Sequence, residues 1–188
     1  MNFDHWLRYQ HARLLVFFNR RQRAIDELRA LLALDPSHAR ATSLLGFLHG
    51  NAGDYALAAE QFRRALAAEP DSAVLHFDLA YVLHLNKDYA PAVDAFRRAL
   101  ALDKMLDRAW YGMGLALNSL GRREEAAEAL EHAAELQPMN GYAWYELGMT
   151  YHALGRPKKF AEVLAHLNRV DPKAGRQLAR DAGGTSAG

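Results

Sequence analysis

An all-α solenoid of repeated helix pairs is the fold class this sequence predicts, and three observations carry the prediction. Prolines recur on one period: Pro36 to Pro70 is 34 residues, Pro70 to Pro138 twice that, and Pro138 to Pro172 again 34. A period of that size means a stack of supersecondary units. Counting back from each proline gives units 5–38, 39–72, 73–106, 107–140 and 141–174. The eighth residue of each is small: Ala12, Gly46, Ala80, Gly114 and Gly148. The twentieth is Ala24, Ala58, Ala92 and Ala126 in units 1 to 4. Small residues at these two places let two helices cross closely.

Within a unit the elements follow in order. Apolar residues at helical spacing mark a first helix, as at Trp110, Met113, Gly114 and Leu117. Gly53, Gly121 and Gly155 end first helices where a left-handed residue is needed, with Asn19 in the same place in unit 1. Asp54 and Asp88 follow as N-caps of second helices. Pro91 and Pro157 fall in or near a first turn, which tolerates proline. Leu28, Phe62, Phe96 and Leu130, the twenty-fourth residues, fill the groove around the small pair. Unit 5 departs, with Phe160 where units 1 to 4 have Ala and Leu167 where units 2 to 4 have Ala, so its pair must pack differently. A polar capping helix is expected over about 173–181, closing a single domain of residues 1–182, and 183–188 reads as a flexible tail.

Composition sets outer limits. The chain has 188 residues, 51% apolar and 24% charged, which suits a folding protein rather than a disordered one. Its 23 basic and 22 acidic residues give a net charge of +1, so there is no global case for nucleic acid or an anionic membrane. With no cysteine, disulfides and thiolate metal sites are excluded. The opening residues do not read as a secretory signal and no apolar run reaches the ~18 residues of a membrane span, so the expected location is cytoplasmic.

Trp144, Leu147, Gly148 and Tyr151 complete the spacing W-x2-L-G-x2-Y, with the Ala positions and closing proline in register. The chain thereby resembles the tetratricopeptide repeat (TPR) family, small bacterial members included, over about residues 5–174. The resemblance implies a right-handed superhelix whose first helices line a concave groove. It also implies that the second, fifth, ninth and twelfth residues of each unit face that groove. Those positions include Tyr9, Phe47, Phe77, Tyr81, His84, Arg108, Tyr111, Leu115, Asn118, Tyr142, Tyr145, Met149 and His152. No Lys stands at a fifth or ninth position, so the carboxylate clamp some relatives use on chaperone tails is absent.

An aromatic groove suits a peptide or amphipathic helix of a partner protein, since rigid rings anchor at small entropic cost. The expected function is a non-enzymatic adaptor or scaffold. A dedicated chaperone or assembly factor for a secretion, pilus or membrane-complex subunit is the alternative, and a regulatory subunit of a separate enzyme a third. The same rings would also serve as packing between neighbouring first helices. Arg63, Arg64, Arg97 and Arg98 form a row on the back that suits phosphate, an acidic partner or plain solvation. Nine histidines form no metal-ligand spacing, and no catalytic constellation or cofactor motif is present.

Phe3, Trp6, Leu7 and the run Leu14 to Phe18 are more apolar than one packed face requires. Phe3, Trp6 and Phe17 are candidates for a contact surface: a homodimer, another protein, or an interfacial membrane attachment. Burial under helix 21–34 and the next unit is the other reading of the same residues.

Overall fold

The computed structural model describes residues 3–184. Those residues form eleven helices and no strand. They are α1 (Phe3–Phe17), α2 (Arg21–Leu34), α3 (Ala39–Gly50), α4 (Tyr55–Ala68), α5 (Ala73–Leu85), α6 (Tyr89–Leu102), α7 (Asp107–Ser119), α8 (Arg123–Leu136), α9 (Gly141–Ala153), α10 (Pro157–Val170) and α11 (Pro172–Gly184). From α3 onward the first helix of each pair starts every 34 residues, at 39, 73, 107 and 141. The all-α repeat architecture expected from the sequence is therefore observed, including a helix after the fifth pair. Of the expected tail, residues 183 and 184 close α11 and residues 185–188 lie outside the described residues.

Two compact units divide the chain, Met1–Asp88 and Tyr89–Gly188. In the first, α1 packs on α2, α3 on α4, and each second helix packs on the first helix that follows it. In the second, α7 pairs with α8 and α9 with α10, while α11 packs on both α9 and α10.

The five intra-repeat turns share one physical solution. Each first helix ends with a residue at positive φ: Asn19 at 55°, Gly53 at 84°, Lys87 at 66°, Gly121 at 76° and Gly155 at 63°. The next backbone N–H then reaches a carbonyl five residues back, as Asp54 to His49 at 3.0 Å and Arg122 to Leu117 at 2.9 Å. This Schellman arrangement satisfies carbonyls that the helix end leaves open. Lys87 escapes sequence reading because lysine seldom adopts this conformation. Asp54 takes the N-cap position of α4, but its carboxylate makes no capping bond and lies 3.5 Å from His49 Nδ1 instead.

Packing confirms the small-residue logic. Ala12, Ala24, Ala58, Ala80, Ala92 and Ala126 are fully buried, as are Leu28, Phe96 and Leu130. A methyl group added at Gly46 would meet the Phe62 ring at 3.2 Å, and one at Gly114 would meet Leu130 Cγ at 2.6 Å. In the fifth repeat the partner changes: a methyl at Gly148 would meet Leu178 of α11 at 2.5 Å. The fourth residue of three repeats has a further task. Ring N–H groups of His76, Trp110 and Trp144 donate to the carbonyls of Pro70, Lys104 and Pro138 at 2.9, 2.9 and 3.1 Å. Each bond fastens a first helix to the junction that precedes it.

Candidate functional site

In the first compact unit, α3 and α5 leave a hollow of about 360 Å³. Its walls include Tyr9, Arg40, Ser43, Leu44, Phe47, Val74, Leu75 and Asp78, with Glu69 and Ser72 at the repeat junction. Helical spacing brings this about, since second and ninth positions of one helix lie two turns apart on one face. Phe47 is 49% exposed, Val74 61% and Tyr81 50%, so these side chains are presented rather than packed. Phe77 and Tyr81 stack with centroids 6.3 Å apart, and Tyr9 lies against the His38 ring at 5.5 Å. Arg40 and Asp78 place opposite charges around an apolar floor. His84 is half-buried beyond Tyr81, and that burial pushes its imidazole below the ordinary value. Asp78 belongs to this face although the four projected positions of each repeat omit it.

The second unit treats the corresponding residues differently. Asn118 donates to Thr150 Oγ1 at 2.8 Å, and that hydroxyl donates to the Glu146 carbonyl at 2.7 Å. Asn118 thus ties α7 to α9. Tyr145 donates its phenolic proton to Asp181 Oδ2 of α11 at 2.6 Å, and Gln177 donates to both oxygens of the same carboxylate. That bond raises Tyr145 to about 12 and lowers Asp181 below the usual carboxylate range. Tyr111, Tyr145 and Met149 rest on the core of Leu147, Tyr151, Val163, Leu167 and Leu178. His152 lies against Phe160 at 5.7 Å, and Leu115 is partly buried. What this face still offers is a hollow of about 110 Å³ bounded by Arg108, Tyr111, Tyr142 and Asn140, with Tyr142 77% exposed. Burial raises both the Tyr111 phenol and the Glu146 carboxyl above their ordinary values, and the Glu146 charge adds to the Tyr111 shift.

A larger hollow, about 520 Å³, lies between α8 and α10 and escapes the sequence reading. Trp144 and His166 stack there at 4.0 Å, and both ring nitrogens reach the Pro138 carbonyl, at 3.1 and 3.0 Å. Beside them Tyr151 donates to Glu131, and Lys159 donates to Glu131 at 2.8 Å and to Tyr151 at 3.0 Å. Partial burial opposes ionisation of Glu131, but the two donors hold its carboxyl below the ordinary value. These polar groups satisfy one another. Among the second helices, Arg63 and Arg64 of the first unit and Arg97 and Arg98 of the second are exposed, and Arg97 pairs with Glu125 at 3.0 Å.

In the first unit, α1 buries Ala12 and packs Tyr9, Leu15 and Val16 against Ile25, Leu28 and Leu45. Its opposite face stays open, with Phe3 69%, Trp6 43%, Leu7 52%, Leu14 56% and Phe17 81% exposed, and Phe18 beyond it 66%. The burial reading therefore holds for one face of this segment, and the other face is exposed. Among the described residues no group of three His, Cys, Asp or Glu side chains could hold a metal ion. No helix among them is long and apolar enough to cross a membrane.

The geometry defines a helical-repeat protein with an open face on its first helices. The family described as Tetratricopeptide repeat matches residues 9–49, 48–104 and 108–174, and the chain belongs to that family. Among solved structures it is similar to MamA, with a TM-score of 0.85 at 21% identity over 92% of this chain and 94% of that one. It is also similar to MamA residues 41 to the end from Desulfovibrio magneticus RS-1, with a TM-score of 0.82 at 22% identity over 96% and 98%. YrrB, described as a TPR protein with an unusual peptide-binding site, gives 0.83 at 27% identity over 93% of this chain and 89% of that one. No curated protein sequence matches the chain.

Proposed function

We propose that this protein is an interaction adaptor that holds a peptide or amphipathic helix of a partner on the open face of its first helices. The observation that carries the reading is the exposure of Phe47 and Val74 at the α3–α5 hollow, together with that of Tyr81 further along α5. Partly exposed rings on rigid helices are anchors whose burial gains apolar area at little entropic cost. Arg40 and Asp78 then orient the ligand, and Tyr111, Tyr142 and Arg108 form a lesser site in the second unit. The peptide-binding description of YrrB supports the same reading. Asn118 and Tyr145 act as framework, since their bonds tie α7 to α9 and α9 to α11.

A peptide-display library panned against the purified chain tests this. Selected peptides should carry spaced apolar residues and lose at least tenfold in affinity for the Phe47→Ala/Tyr81→Ala variant. Undiminished binding to that variant would remove the site.

A dedicated chaperone is the second reading, favoured by the apolar weight of the same face. Co-expression that solubilises an otherwise insoluble partner would separate it from a passive adaptor.

A further inference from the structure

The open face of α1 has a counterpart in every later repeat, and there it is covered. Leu7 and Leu14 occupy the third and tenth positions of the first repeat. In the four later repeats both positions are buried, as at Leu75 and Val82 or Ala109 and Ala116. What covers them is the second helix of the preceding repeat, for α4 packs on α5 and α6 on α7. On α1 the same positions are more than half exposed. The surface therefore has the character of a stacking face, uncovered among the described residues, and solvation alone does not account for it.

The pattern on that face states what fits it. Phe3, Leu7, Gln10, Leu14 and Phe17 recur at four, three, four and three residues, the seam of a two-helix coiled coil. The spacing is also nearly palindromic. An antiparallel second α1, turned about a two-fold axis between residues 10 and 11, sets Leu7 opposite Leu14 and Phe3 opposite Phe18. None of these side chains is charged, so pairing like with like brings no repulsion. Gln10 falls beside the axis; its Oε1 accepts from Arg13 at 3.2 Å, and its amide N–H groups are donors to the second copy. We infer that α1 is a homodimerisation helix, and that its occupant is the α1 of a second copy of this chain.

Area supports the assignment. Six apolar side chains with roughly 100–150 Å² exposed on each supply roughly 700 Å² per copy. A stable interface of standard size takes ~800 Å² from each partner. The contact is isologous and closes on itself, so it yields a dimer rather than a filament. This inference does not depend on the peptide-binding face, and a failure of either leaves the other standing.

Sedimentation equilibrium on the full chain, across micromolar concentrations, should give twice the 21.1 kDa of one copy. Leu14→Glu should shift that mass to one copy while the helical circular dichroism stays unchanged, because Leu14 is exposed. The absence of native cysteine permits a geometric test. Gln10→Cys should form a disulfide-linked dimer on mild oxidation. Phe17→Cys, whose two copies would stand roughly 20 Å apart at a rise of ~1.5 Å per residue, should not. A monomeric wild type, a dimer that survives Leu14→Glu, open-ended oligomers, or equal cross-linking of the two cysteine variants would each overturn the inference.

Discussion

Gly114 has space for a hydrogen atom and little more, because Leu130 Cγ lies 2.6 Å from where a methyl group would begin. Gly53 is the contrary case: nothing lies within 4 Å of its missing side chain, but its φ is +84°. The two glycines fail for different reasons. Gly114→Val should cost ~1–3 kcal/mol through overpacking at the helix crossing. Gly53→Ala should cost about 1 kcal/mol through backbone strain alone. Denaturant unfolding of both variants checks the ranking. Glu146 supplies a pH signature. Burial raises its folded carboxyl above the ordinary value, so the folded state binds the proton more tightly than the unfolded one. The stability this gives is full below the ordinary carboxylate value and is lost as pH rises through the raised one. Relative to Glu146→Gln, the wild type should therefore lose melting temperature across that window and remain the less stable protein at neutral pH.

The helices show where reading a sequence succeeds and where it stops. Small residues at eighth and twentieth positions announce the helix crossings because sterics at a crossing admit little else. The closing bond of each turn is legible at Gly53, Gly121 and Gly155, but not at Lys87, an exposed turn residue that takes φ 66° against its propensity while Asp88 N–H closes the turn on Leu83. Tyr145 illustrates a deeper limit. Its repeat position places it on the ligand face, whereas its hydroxyl is taken by Asp181, 36 residues away on a helix outside the repeat. Position within a period cannot disclose a partner that the period does not contain. The α8–α10 hollow escapes for a related reason: the motif residues Trp144, Leu147 and Tyr151 line it, but Glu131, Lys159 and His166 come from second helices at positions the motif does not specify. The exposed stripe of α1 was legible as excess apolarity, though not which side of the helix would carry it.

The last helix tests these element-level contacts. Leu178 is fully buried against Gly148 and the core of the fifth repeat. Leu178→Ala should cost ~2–5 kcal/mol, as emptied core sites do. Tyr145→Phe, which removes a partly solvent-accessible bond and no packing, should cost about 1 kcal/mol or less. A reversed order would mean that α11 is held by its polar contact and not by its core residue.

For the molecule as a whole, the account is of a repeat scaffold with two outward surfaces of different use. First helices expose rings in the first compact unit, while in the second unit they are largely occupied with their neighbours and α11. A net charge of +1 gives no long-range steering, so peptide affinity should change little between low and physiological salt, unlike that of a basic groove. The most direct test of the central claim is calorimetric titration of a display-selected peptide into wild type and into Phe47→Ala/Tyr81→Ala. The account predicts micromolar binding to wild type, with a negative heat-capacity change from apolar burial, and at least a tenfold loss in the variant. Equal affinity for both proteins would contradict it.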